Sequence, residues 1–116
     1  MKSDLVRLGH IVLAINEIEA FLADTPSYED FTEDYKTFSA VLMQLVIIGE
    51  ATKALSRGFT SSHADSVEFR KIVGMRNILT HEYFGVDKKI VWEICQTDLP
   101  ELKNFIQAII QAGEVD

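Results

Sequence analysis

The run Phe38-Ser39-Ala40-Val41-Leu42-Met43-Gln44-Leu45-Val46-Ile47-Ile48-Gly49-Glu50-Ala51-Thr52-Lys53-Ala54-Leu55 decides the fold class. Phe38, Leu42, Leu45, Ile48, Thr52 and Leu55 recur in steps of three and four, the period of one helix face and not the alternation of a strand. Around that stripe Val41, Val46, Ile47, Ala51 and Ala54 make the segment apolar on more than one side. That is expected of a central helix that packs both on its own chain and on a second copy. Gly49 inside so regular a helix costs about 1 kcal/mol relative to alanine, which suggests close approach of another helix at that point. Glu50 beside it is a candidate buried partner for a cation.

Outward from this run the pattern stays helical. Leu5, Leu8, Val12, Ile15, Ile18 and Leu22 place a first helix over about Ser3 to Ala23, ended by the breaker Asp24-Thr25-Pro26-Ser27. The second helix is expected to start somewhere in Tyr28–Glu33 and to run unbroken to a C-terminus at Ser56-Arg57-Gly58, followed by a polar loop over Thr60–Asp65. A third helix follows from Ser66 or Val67 to Tyr83. Gly85-Val86-Asp87 breaks it, with Asp87 as N-cap of a fourth helix over Lys88 to about Gln96. Asp98-Leu99-Pro100 is expected to interrupt that helix and to start a fifth, because proline is tolerated in a first turn and not mid-helix. No strand-like alternation occurs, so the chain reads as all-α: an antiparallel four- to five-helix bundle in one domain, residues 1–116.

Bulk properties narrow the function classes. Hydrophobic residues make up 47% and charged residues 25% of the 116, an ordinary globular mixture able to build a core. The single cysteine, Cys95, excludes an intramolecular disulfide and fits a reducing compartment; set in Ile90-Val91-Trp92-Glu93-Ile94-Cys95, it reads as a small core residue. The N-terminus lacks the apolar core and cleavage site of an export signal, and Leu45-Val46-Ile47-Ile48-Gly49 is far short of the ~20 residues that span a bilayer. The expectation is a soluble, cytoplasmic protein without a membrane partner. A formal charge of −7 argues against broad, charge-driven binding to nucleic acid, so any RNA site must be a local basic pocket.

Chemistry concentrates in Val73-Gly74-Met75-Arg76-Asn77-Ile78-Leu79-Thr80-His81-Glu82-Tyr83-Phe84. At roughly 100° per residue, with Arg76 at zero, Thr80, Asn77 and His81 fall near 40°, 100° and 140° and Tyr83 near 340°, while Ile72, Met75, Ile78 and Leu79 form an apolar stripe. Arg76 and His81 are therefore expected to point away from the core-facing stripe, into solvent. Cleaving RNA without a metal requires a base for the 2′-hydroxyl proton, an acid for the 5′-oxygen and a cation at the charged transition state. His81, with an ordinary pKa of about 6.5, can be base or acid, and Arg76, always charged and able to form two parallel bonds, suits the phosphate. Asn77 can fix the imidazole tautomer or contact the phosphate. One helix supplies one histidine, so filling both proton-transfer roles calls for a second copy across a two-fold axis.

Arg76-Asn77-Ile78-Leu79-Thr80-His81 resembles the R-x4-H signature of the HEPN superfamily, and its extension to Tyr83 resembles the R-x4-H-x-Y form of HepT-like toxins. Ile48-Gly49-Glu50-Ala51 is similar to that family's second helix, and the likeness spans nearly the whole chain. One departure is Phe69, where many relatives have tryptophan, a volume change at a packing position. The resemblance implies a HEPN-like two-fold dimer whose motifs meet in a shared cleft. Arg76 and His81 would be the catalytic pair, Asn77 and Thr80 would support substrate binding, and no cofactor or metal would be needed. It also implies the toxin role of a type VII-like toxin–antitoxin system, with a minimal nucleotidyltransferase (MNT) antitoxin that neutralises the nuclease by adenylylating Tyr83. AMP beside Arg76 would compete with substrate phosphate for the same cation.

Plainer readings remain open from the residues alone. Arg76 and His81 fit a polar helix face with an ordinary ion pair, Arg76 to Glu50 for instance, and Tyr83 fits a half-buried tyrosine with a wet hydroxyl. His63 and Asp65 are two potential ligands without a third, and His10 fits a surface position. Glu29-Asp30 and Glu33-Asp34 read as a solvated helix start that favours the macrodipole and would repel RNA. The function alternatives are a non-catalytic nucleotide- or partner-binding subunit of a nucleotidyltransferase complex, and a helical dimer in which the motif only packs.

Overall fold

Helix α1 (Asp4–Leu22) begins where the Ser3 hydroxyl accepts a hydrogen bond from the Val6 N–H, and it buries Leu8, Ile11, Ala14, Ile15 and Ile18. The computed structural model describes residues 3–67, 69, 72–76 and 85–113. Among these every regular element is helical. Helix α3 (Tyr35–Lys53) lies along α1, and the Asp4 carboxylate sets the direction by accepting from Ser56 N (2.9 Å) and Ser56 Oγ (2.6 Å) just past the end of α3. The start of one helix thus meets the end of the other, which makes the pair antiparallel. Phe38, Val41, Leu45 and Ile48 of α3 face the α1 stripe; each is 6% exposed or less, so this seam is the dry centre of the core.

The expected long second helix is two helices. Helix α2 (Tyr28–Glu33) is capped by Ser27, and Asp34 both ends it and caps α3. The Asp34 carboxylate accepts from Thr37 N at 3.0 Å and Thr37 Oγ1 at 2.6 Å, a local cap that competes with helix continuation. The break turns α2 so that Phe31, fully buried, meets the rings of Phe38 and Trp92 at 5.6 and 5.3 Å.

Two further expectations are corrected. Ser56 is not a helix C-terminus: its hydroxyl accepts from Phe59 N and opens helix α4 (Arg57–Ser62), which runs into the stretch read as loop, with burial of Phe59 anchoring that turn. Residue 69 and residues 72–76 are helical, and the latter stretch, here α5, carries Arg76. The remainder of the expected third helix, residues 77–83, lies outside the described residues. Asp87 caps α6 (Lys88–Glu93) as expected, accepting from Lys89 N. The fifth helix does start at Leu99 with Pro100 in its first turn, as expected, but the chain is not interrupted there. Ile94–Asp98 winds as a π-helix into α7 (Leu99–Ala112), with Leu99 N donating to Ile94 O. Pro100 has no N–H to offer Gln96 O, and the wider turn carries the chain past that lost bond instead of breaking it. Gly113 at φ 70° ends α7 in the left-handed conformation open to glycine.

Candidate functional site

The site is built where α5 crosses α3. An ideal Cβ on Gly49 would overlap the Arg76 Cβ and stand 2.7 Å from its Cγ. Only a glycine lets the two helices approach this closely, which is the physical reason for the unfavourable residue in α3. One residue on, Glu50 Oε1 accepts from Arg76 Nε at 2.6 Å and also contacts Arg76 Nη2. The expected pairing of Glu50 with a cation is therefore found, with one correction: the Glu50 side chain is 50% exposed, not buried.

Arg76 is corrected in the other direction. Its side chain is 21% exposed and held by a carboxylate, so it lies at the edge of the packed helices rather than open in solvent. Packing against Gly49 fixes its Cβ and the Glu50 oxygen fixes its Nε, which gives a guanidinium of defined plane on a chain of net charge −7. The acidic residues of α2 lie at the far end of α3, about 20 Å away at 1.5 Å per residue. His81, Asn77, Thr80 and Tyr83 lie outside the described residues, so Arg76 is the one motif residue whose surroundings are visible.

Other candidates resolve into packing. The His63 ring lies 4.6 Å from Phe59 and 5.4 Å from Phe105, and Phe59 in turn meets Phe69 edge-on at 6.1 Å, so the position expected to tolerate a change of aromatic does serve packing. Cys95 is buried, and burial pushes its thiol up to about 12, far from a nucleophile's range. Among the described residues no three His, Cys, Asp or Glu side chains group to hold a metal ion, and no helix is long and apolar enough to cross a membrane. A cavity of about 740 Å³ opens between Ile72 and Met75 of α5, Val86, and Ile94 and Phe105. Asp87, Asp98 and Glu101 also line it, an apolar and negative setting unsuited to a phosphate chain.

The described residues thus form a helical protein that pins an arginine between a glycine and a glutamate of a neighbouring helix. The family model for ribonuclease HepT-like proteins matches residues 11–109, and the chain belongs to that family. It is 41% identical over 102 residues to a protein of Thermococcus cleftensis named "Probable ribonuclease HepT", covering 88% of this chain and 91% of the relative. It is 42% identical over 85 residues to a provisionally named RNase of Caldanaerobacter subterraneus subsp. tengcongensis, covering 73% and 75%. A provisionally named RNase of Methanocaldococcus jannaschii is 32% identical over 102 residues, covering 88% and 92%. No solved structure matches the chain.

Proposed function

We propose that this chain is a metal-independent endoribonuclease, the toxin of a HepT/MNT pair, acting as a two-fold dimer of single domains spanning residues 1–116 in the cytoplasm. The observation that carries the proposal is Arg76, a cation held at a helix crossing by Gly49 and Glu50 and followed at the motif spacing by His81. In the dimer one His81 removes the 2′-hydroxyl proton, the 2′-oxygen attacks phosphorus, and the partner copy's equivalent imidazole protonates the departing 5′-oxygen. The products are a 2′,3′-cyclic phosphate and a 5′-hydroxyl. Arg76 neutralises the charge that builds on the non-bridging oxygens, with Asn77 and Thr80 at the substrate.

Dimerisation is supported by apolar side chains left uncovered on α3. Met43 is 60% and Ile47 39% exposed, and steps of four and three carry the same face on to Glu50 and hence to Arg76. Neutralisation by the MNT antitoxin is adenylylation of Tyr83, which brings phosphate to the cation that the substrate needs.

The test uses purified protein freed of any AMP and incubated with cellular RNA in the presence of EDTA. Wild type cuts and leaves cyclic phosphate ends; Arg76→Ala and His81→Ala do not, while both melt within a few degrees of wild type. An Arg76–Glu50 pair is equally expected under the reading in which the motif only packs. That reading holds instead if Arg76→Ala loses the fold along with activity, or if RNA stays uncut by wild type and variants alike. Co-expression with the nucleotidyltransferase adds AMP mass that Tyr83→Phe abolishes.

A further inference from the structure

We infer that Glu50 is a positioning residue for RNA cleavage, setting the plane of the Arg76 guanidinium; this rests on the nuclease reading of Arg76. A carboxylate beside a phosphate-binding cation weakens phosphate binding by its charge, so an acidic residue there is a cost unless it does something else. Glu50 is half exposed, and an ion pair that wet adds little to stability, so holding the fold together does not account for it.

The geometry supplies the other role. An arginine has four rotatable side-chain bonds, and on an ordinary helix face its guanidinium samples many orientations. Here contact with Gly49 restricts the base of the side chain, and Glu50 Oε1 receives Nε at 2.6 Å and touches Nη2, so both ends of the side chain are fixed. The guanidinium is planar, and its N–H groups meet phosphate oxygens in that plane, so fixing Nε decides where the rest of the fork aims. Gly49 and Glu50 act together. The glycine brings α5 within reach, and the adjacent carboxylate is then one residue away from the contact and long enough to meet Nε.

The expected signature is a split between turnover and affinity. Misplacement of a catalytic group by about 1 Å can cost on the order of a hundredfold in rate. Glu50→Ala is therefore expected to lower kcat ten- to a hundredfold without raising KM for a short RNA, since the substitution also removes a repelling charge. Glu50→Gln, which keeps an acceptor oxygen, is expected to fall between. Both variants melt close to wild type. In an Arg76→Ala background, Glu50→Ala has no further effect on residual cleavage, because the carboxylate acts only through the arginine. Two-dimensional ¹⁵N–¹H spectra provide a readout separate from turnover: an Arg76 Nε–H signal, assigned by its loss in Arg76→Lys, exchanges slowly in wild type and is lost to fast exchange in Glu50→Ala. Wild-type cleavage with kcat unchanged in Glu50→Ala overturns the inference and leaves the nuclease reading standing. A raised KM at constant kcat overturns it as well. RNA left uncut by wild type, with the Nε–H signal still protected, overturns the nuclease reading itself and any role in turnover with it.

Discussion

Replacing Gly49 by alanine puts the proposed helix crossing to a direct test. The added methyl would overlap the Arg76 Cβ, stand 2.7 Å from Cγ and 3.4 Å from Cα, against an ordinary carbon–carbon separation of about 3.5–4.0 Å. The nearest atom, Cβ, is fixed by the backbone, so no rotamer change relieves it and α5 must back away from α3 by about 1.5 Å. Overpacking of this kind costs about 1–3 kcal/mol, while exchanging glycine for alanine in a helix returns up to about 1 kcal/mol. The net expectation is a loss of about 1–2 kcal/mol, read as a denaturation midpoint lower by several degrees. Gly9 is the control. It lies in α1 with nothing within 4 Å of an added Cβ, so Gly9→Ala is expected to stabilise by about 0.5–1 kcal/mol. In a second control, Arg76→Ala does not relieve Gly49→Ala, because its Cβ remains, whereas Arg76→Gly reduces the clash. The reasoning is refuted if urea titrations find Gly49→Ala as stable as Gly9→Ala.

Three other expectations can be checked independently. Cys95, with its thiol pushed up to about 12 by burial, should resist iodoacetamide at pH 8 in the folded protein and react once urea unfolds it. The Thr37 hydroxyl, and then the Thr37 N–H, hold the Asp34 carboxyl below its ordinary 3.8. A depressed carboxyl contributes stability that is complete above 3.8 and is lost as pH falls through its folded value; Asp34→Asn should thus flatten the acid limb of a stability-against-pH curve and leave its neutral part less affected. Met43→Asp combined with Ile47→Asp, on the exposed α3 face, should give a monomer in light scattering that keeps its helical circular dichroism but cuts no RNA. A dimer of unchanged mass would place the interface elsewhere.

The candidate site could be named from the sequence because its parts are short-range. The R-x4-H-x-Y spacing needs no coordinates, and Gly49 announced a close approach simply by being the wrong residue for a strong helix. An Arg76–Glu50 ion pair was one option in the sequence; which helix comes close, and that Glu50 does reach Arg76 across a separation of 26 residues, depended on how α5 lies over α3. The sequence also left Arg76 pointing into solvent, since a helical wheel assigns directions about one axis and knows nothing of a neighbouring helix.

The same division runs through the fold. Helix periods, the caps at Ser3 and Asp87 and the turn at Asp24–Ser27 follow from side chains acting on backbone within four residues, so the chain itself determined that this protein is helical and roughly where most helices start. Where two local preferences competed, tertiary packing chose. Asp34 breaks a run whose apolar period continues through it because α2 must turn for Phe31 to reach Phe38 and Trp92, and Ser56 opens α4 because Asp4 holds it and Phe59 has a core to enter. Pro100 reads as a helix break in isolation. In the structure Val91, Cys95, Leu99 and Leu102 are all buried along one continuous helical path, and keeping that apolar face together outweighs the bond lost at the proline.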